Sequence, residues 1–123
     1  MTGVHPILVV DDDPDIRETL ENVLEMYGWP VATASSGDAA LEWLRVNPEP
    51  RMILLDLMMP GMDGFELRQQ QLGDPTLASI PTVVLTGGSL TPRDRGRLGQ
   101  VEVLVKPVTL PALLECLGRH GAA

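Results

Sequence analysis

The chain has 123 residues, 44% of them hydrophobic and 3% aromatic, and a formal net charge of −8. That length suits one domain around a single hydrophobic core. The acidic balance argues against nucleic acid or an anionic membrane as a direct partner, because both need clustered Lys and Arg.

The one basic cluster, Arg93, Arg95 and Arg97, reads as a solvated helix face. A single cysteine, Cys116, excludes an internal disulfide and fits a reducing cytoplasm; it reads as a small apolar residue on a helix. No signal-peptide pattern is present, and the apolar runs are too short to span a bilayer.

Short apolar runs alternate with amphipathic stretches along the chain. Ile7–Val10 is apolar throughout and rich in β-branched residues, as expected of a strand covered on both faces. Asp13 and Pro14 supply an N-cap and first helical residue, and Ile16, Leu20, Val23, Leu24 and Tyr27 keep helical spacing until Gly28. Val31–Ala34 reads as a second strand; Ser36 then caps a helix carrying Ala40, Leu41 and Leu44, which ends before Pro48. Met52–Leu57 is the third strand, and Asp63 with Glu66 starts a helix in the manner of a capping box, running to about Leu72.

Thr82–Thr86 is the fourth strand. Thr91-Pro92 can open a helix, but Gly96 and Gly99 weaken it, so a short and mobile helix is expected. Val101–Val105 is the fifth strand, and Thr109 caps a last helix with Leu110, Leu113, Leu114 and Leu117 on one face. Five strands, each followed by a helix, predict an α/β fold with a doubly wound parallel sheet and right-handed crossovers. Ligands in such sheets sit outside the carboxyl ends of the strands.

Those strand ends carry Asp11 and Asp12, then Asp56, Thr86 and Lys106. Crowded carboxylates repel one another, which points to a cation that the sequence itself does not supply. Asp11, Asp12 and Asp56 form a hard oxygen set suited to Mg2+, which takes a few carboxylates plus waters and phosphate oxygens. Asp56 is then placed to act as a nucleophile toward phosphorus. Phosphoryl transfer needs in-line positioning and neutralised charge on the equatorial oxygens; the metal, Lys106, the Thr86 hydroxyl and backbone N–H groups near Met58–Met59 meet that need.

The stretches ILVVDDDPDIRE, LLDLMMPGMDGFEL, VVLT and VLVKP, in this order, resemble the receiver domain of two-component response regulators over essentially the whole chain. The strand ending in Asp56 followed by MPGMDG is the specific part; the acidic pair or the Lys-Pro alone is a weak signal. The resemblance implies a flavodoxin-like sheet of five strands with five helices in one domain over residues 1–123. It implies Asp56 as phosphoacceptor, with Mg2+ held by Asp12, Asp56 and the Met58 carbonyl and with Asp11 holding a metal-bound water. It further implies Lys106 as the bridge to the phosphoryl group, Thr86 as the hydroxyl that swings toward it, and a cis Lys106-Pro107 bond. The donor would be a histidine kinase or histidine phosphotransfer protein, and the face of the fourth and fifth helices would switch for an unknown downstream partner. With only Pro107 to Ala123 after the lysine, the chain reads as a cytoplasmic stand-alone or excised receiver, a signalling domain and not a turnover enzyme.

Competing readings are weaker. Asp13 and Asp15 belong to the first helical turn, where the dipole favours acids, and are not ligands. A calcium loop wants glycine where Ile16 stands and glutamate where Asn22 stands. The D-x-D-x-[TV] pattern of haloacid-dehalogenase-type phosphatases is absent, and so short a chain offers no lid over a small substrate. Met59 reads as core filler, as Met58 and Met62 can be; Trp29 and Trp43 read as packing residues, and neither His5 nor His120 lies in a phosphotransfer helix.

Two departures from the receiver pattern matter. Val103 occupies the position three before the lysine where Tyr or Phe is usual, so coupling to partners should use loop and helix rearrangement, around Gly87, Gly88, Gly96 and Gly99. Amide exchange in that segment should be faster than in the central strands. The positions that orient hydrolytic water are Met58 and Gly88, so self-dephosphorylation should be slow. A module with the same fold that binds partners without phosphorylation remains the alternative.

Overall fold

The protein's structure, a computed structural model, describes residues 5–119. Ten elements alternate along it: β1 (Ile7–Val10), α1 (Pro14–Met26), β2 (Val31–Ala34), α2 (Gly37–Val46), β3 (Met52–Asp56), α3 (Gly64–Leu72), β4 (Thr82–Thr86), α4 (Pro92–Leu98), β5 (Glu102–Val105) and α5 (Leu110–Arg119). The strands pair in parallel in the order β2-β1-β3-β4-β5.

Alternation along the strands decides which helices each side chain meets. In β1, Ile7 and Val9 join Leu20 and Leu24 of α1 and Leu113, Cys116 and Leu117 of α5. Leu8 and Val10 face the other way, into a cluster with Ala40, Leu41 and Leu44 of α2 and Leu67 of α3. A third cluster, with Leu57, Phe65, Val84 and Leu98 at its centre, lies beneath α4. β1, β3 and β4 are buried along their whole length, which explains their continuous apolar runs.

Two of the five strand-boundary expectations needed trimming by one residue. β3 ends at Asp56, which pairs with Leu85, while the Leu57 carbonyl turns to accept from the Gly64 amide at 3.0 Å. β5 begins at Glu102, opposite Val83, and Val101 packs under α4 instead. α1 stops at Met26, with Tyr27 as its C-cap and Gly28 following at φ 89°. Leu110 does not share the buried face of α5; it stays exposed, and Cys116 takes the interior position beside Leu113 and Leu117. Burial pushes the Cys116 thiol up to about 11, so it remains a protonated, small apolar filler.

The glycine-bearing α4 is better anchored than its sequence implies. Thr91 and Asp94 form a reciprocal capping box at its start. At its far end Arg68 Nε donates to the Leu98 carbonyl at 2.7 Å and Gln69 Nε2 to the Arg97 carbonyl at 2.7 Å. The Arg93–Arg97 cluster is exposed as expected, but Arg97 also lays its guanidinium 4.4 Å from the centre of the Phe65 ring. His120 lies outside the described residues; His5 is exposed and pairs with the Glu49 carbonyl. Among the described residues no helix is long and apolar enough to cross a membrane.

Candidate functional site

β1 and β3 lie side by side at the centre of the sheet, so Asp11, just past Val10, and Asp56, at the end of β3, come together at its carboxyl edge. Asp11 is fully buried and Asp56 is 4% exposed, whereas Asp12 is exposed. One carboxylate oxygen from each of the three lies within 4.8 Å of the others. Lys106, arriving from β5, donates from Nζ to Asp11 Oδ2 at 3.0 Å and to Asp56 Oδ1 at 3.1 Å. The Met58 amide also donates to Asp56 Oδ1, at 3.4 Å. The Lys106-Pro107 bond is cis.

The loop between β1 and α1 is built by its own acids. Asp13 is the N-cap of α1, accepting from the Asp15 and Ile16 amides, and its amide donates to Asp11 Oδ1 at 2.9 Å. Sequence reasoning missed Arg17. One turn into α1, it donates from Nη1 to the Asp11 carbonyl at 2.8 Å and fixes the peptide next to the buried carboxylate. The only sequence signal was its place on the same helix face as Asp13, four positions earlier.

Three carboxylates meet one ammonium, and the imbalance shows in the protonation of Asp56 and Lys106. Burial is the main force raising the Asp56 carboxyl above its ordinary value, and the charge on Asp11 adds to it; the Lys106 hydrogen bond opposes both without cancelling them. Burial works to lower Lys106, but its hydrogen bonds to Asp11 and Asp56 outweigh that, and its pKa is raised. Because Asp56 binds its proton more readily folded than unfolded, its charged form weakens the metal-free fold. That deficit is complete above its folded pKa and disappears as pH falls toward the ordinary 3.8. Asp56→Asn should therefore stabilise the protein in EDTA at neutral pH, with the gain vanishing in acid. Denaturant midpoints across a pH series measure this.

Thr86 is brought to the same edge, but its hydroxyl is engaged locally, accepting from the Gly88 amide at 3.3 Å and donating to the Gly88 carbonyl at 3.2 Å. Its own carbonyl accepts from the Lys106 amide at 2.7 Å, which ties β4 to the lysine loop. Met58 points outward, 74% exposed, while Met59 is buried as core filler. Val103 does not reach the acidic edge; it packs against the cluster of Phe65 and Leu98. A groove of about 500 Å³ opens beside Lys106, with Ile16, Thr19 and Leu20 on one wall and Pro107 and Val108 on the other.

The response regulator receiver domain family matches residues 7–117. The chain belongs to that family. A probable cyclic di-GMP phosphodiesterase of Vibrio cholerae is 38% identical to this receiver over 117 residues, 93% of this chain and 26% of that protein. The DNA-binding dual master transcriptional regulator RpaA of Synechocystis is 36% identical over 110 residues, 88% of this chain and 45% of that protein. The receiver thus spans less than half the length of these curated relatives. The signal receiver domain of a histidine kinase from Syntrophus aciditrophicus has the same fold, with a TM-score of 0.86 at 32% identity over 97% of this chain and 91% of that one.

The acidic set fits a magnesium ion on its chemistry. Its donors are hard carboxylate oxygens, they converge on one another, and Asp12 keeps the site open to water.

Proposed function

We propose that this receiver domain accepts a phosphoryl group on Asp56 and acts as a cytoplasmic switch, not as a turnover enzyme. The observation that carries this is the Lys106 ammonium, 3.0 and 3.1 Å from two buried carboxylates at the mouth of the sheet. An Asp56 oxygen attacks phosphorus, the bond from phosphorus to the donor's imidazole nitrogen breaks, and that nitrogen leaves with the electron pair. Lys106 follows the developing charge on the phosphoryl oxygens, and Asp11 keeps the ammonium in position. Asp11, Asp12, Asp56 and the Met58 carbonyl would hold Mg2+, which supplies charge neutralisation when bound.

The donor in this reading is a histidine kinase or histidine phosphotransfer protein, with the groove between Ile16 and Pro107 beside Lys106 available to an apolar contact from it. On phosphorylation Thr86 would leave Gly88 for the phosphoryl group, and the face of α4, β5 and α5 would change its population of states. Residues 1–123 would act as one unit, stand-alone or within a longer protein.

Intact mass after incubation with Mg2+ and acetyl phosphate tests the proposal. Wild type should gain one phosphoryl group and Asp56→Asn none; an unchanged wild-type mass would instead favour a phosphorylation-independent binding module.

The lifetime of the acyl phosphate is a separate expectation. Met58 lacks a hydrogen-bonding side chain and Gly88 has none, so neither orients a water for in-line attack. The modified protein should persist for minutes after the donor is removed, and Met58→Asn should shorten that. Timed mass spectra read both.

A further inference from the structure

At the opposite end of the sheet, where β4 and β5 begin, a pocket of about 600 Å³ lies between the middle of α3, the segment leading into β4 and the C-terminal end of α4. Its floor includes Arg68, which is 5% exposed and whose charge has no role at the phosphoacceptor end. Arg68 Nε holds the Leu98 carbonyl, and Nη1 donates to Gln71 Oε1 at 2.8 Å and reaches Thr82 Oγ1 at 3.5 Å. Nη2 makes no hydrogen bond to the described residues. It is not sealed off either, since no fully buried side-chain nitrogen or oxygen lacks a partner there. That nitrogen therefore keeps some contact with solvent, and it lies near Gly99, which lines the pocket together with Arg68.

No carboxylate of the described residues pairs with Arg68. Its neighbours are neutral acceptors, and burial presses its pKa below the ordinary guanidinium value. A second guanidinium, Arg95, stands exposed on the wall, one turn before the end of α4. The one acid on the rim, Glu102, is engaged by Arg119. The pocket thus presents two positive forks, one held rigidly, and the negative charge at its rim is already matched. Guanidinium pairs of this kind bind oxyanions through parallel, charge-assisted hydrogen bonds.

We propose that this pocket binds a small oxyanion, a phosphate or carboxylate group, between Arg68 and Arg95, independently of the phosphoacceptor site. Binding would compensate a buried cation and clamp the C-terminal end of α4 to β4 and β5.

The test is titration of the isotope-labelled full chain, in EDTA and without phosphodonor, followed by NMR at constant ionic strength. Inorganic phosphate, acetate and chloride form separate arms. Saturable shifts are expected at the Arg68 Nε–H and at the amides of Gly99, Gln100 and Val101. Saturation by phosphate alone would assign a phosphate ligand, and equal saturation by acetate a carboxylate one. Arg95→Gln, an exposed change, should keep the spectrum of the fold and weaken binding roughly tenfold, as one lost charge-assisted bond predicts. Arg68→Lys keeps the charge but loses the fork, and should weaken it at least as much. Shifts that do not saturate, that chloride reproduces, or that Arg95→Gln leaves unchanged would overturn the proposal.

Discussion

Lys106→Met is expected to lower the stability of the metal-free protein by about 2–4 kcal/mol and to slow phosphoryl transfer to Asp56 by about 10²- to 10³-fold. Both effects come from one nitrogen. Asp11 is fully buried and Asp56 nearly so, and among the described residues Lys106 is the cation that reaches both carboxylates. Removing one member of a buried ion pair typically costs about 3–5 kcal/mol, because the remaining charge stays desolvated. The lower range applies here because the Lys106 side chain keeps 23% of its surface in water, which can enter to replace it.

Magnesium separates the two effects. A divalent ion on the carboxylates restores positive charge to the site, so millimolar MgCl2 should recover most of the lost stability. It should not recover the rate, because the ammonium that would meet the phosphoryl oxygens is still missing. Urea midpoints with and without MgCl2, beside timed intact masses, would show the split. Equal recovery of both would mean that Lys106 serves only to neutralise the resting site.

Gly64→Ala should be nearly as damaging without touching any charged group. A Cβ at Gly64 would sit 2.4 Å from the Asp56 carbonyl oxygen and 2.7 Å from the Leu57 Cα. These are backbone atoms, so no rotamer change relieves the clash. Either α3 must lift off or the end of β3 must move, at a cost of about 3 kcal/mol or more. Because the strand end carries Asp56, phosphoryl acceptance should fall together with stability. Gly96→Ala is the control, since a Cβ there meets nothing within 4 Å and lies in a helix interior. It should stabilise the protein by up to about 1 kcal/mol and leave acceptance unchanged.

The acidic edge was legible because strand ends can be counted. Ile7–Val10 and Thr82–Thr86 are unbroken apolar or β-branched runs, and a parallel sheet brings whatever follows them to one side. Asp11, Asp56 and Lys106 accordingly meet as their positions imply. What stayed hidden depends on backbone acceptors remote in sequence. Arg68 looks like an ordinary polar residue of a short helix, and its partner, the Leu98 carbonyl, is 30 positions away. Arg17 is equally silent because it binds a carbonyl and not a carboxylate. Val103 drew notice as a missing aromatic ring, yet the ring near it is Phe65, contributed by α3 and covered by Arg97. The exposed Leu110 shows the opposite error, a residue with the right helical spacing at a point where α5 has not yet reached the sheet.

The unequal fastening of α4 would fix the form that any motion of it takes. Two side chains from α3 grip its final carbonyls, while its first turn is held by its own capping box and follows the exposed run of Gly87, Gly88 and Ser89. With seven residues it is a lever about 10 Å long. A displacement of α4 would therefore pivot at Leu98 and be greatest at Thr91, the end closer along the chain to Thr86, so a sub-ångström pull on that hydroxyl would become a tilt and not a slide.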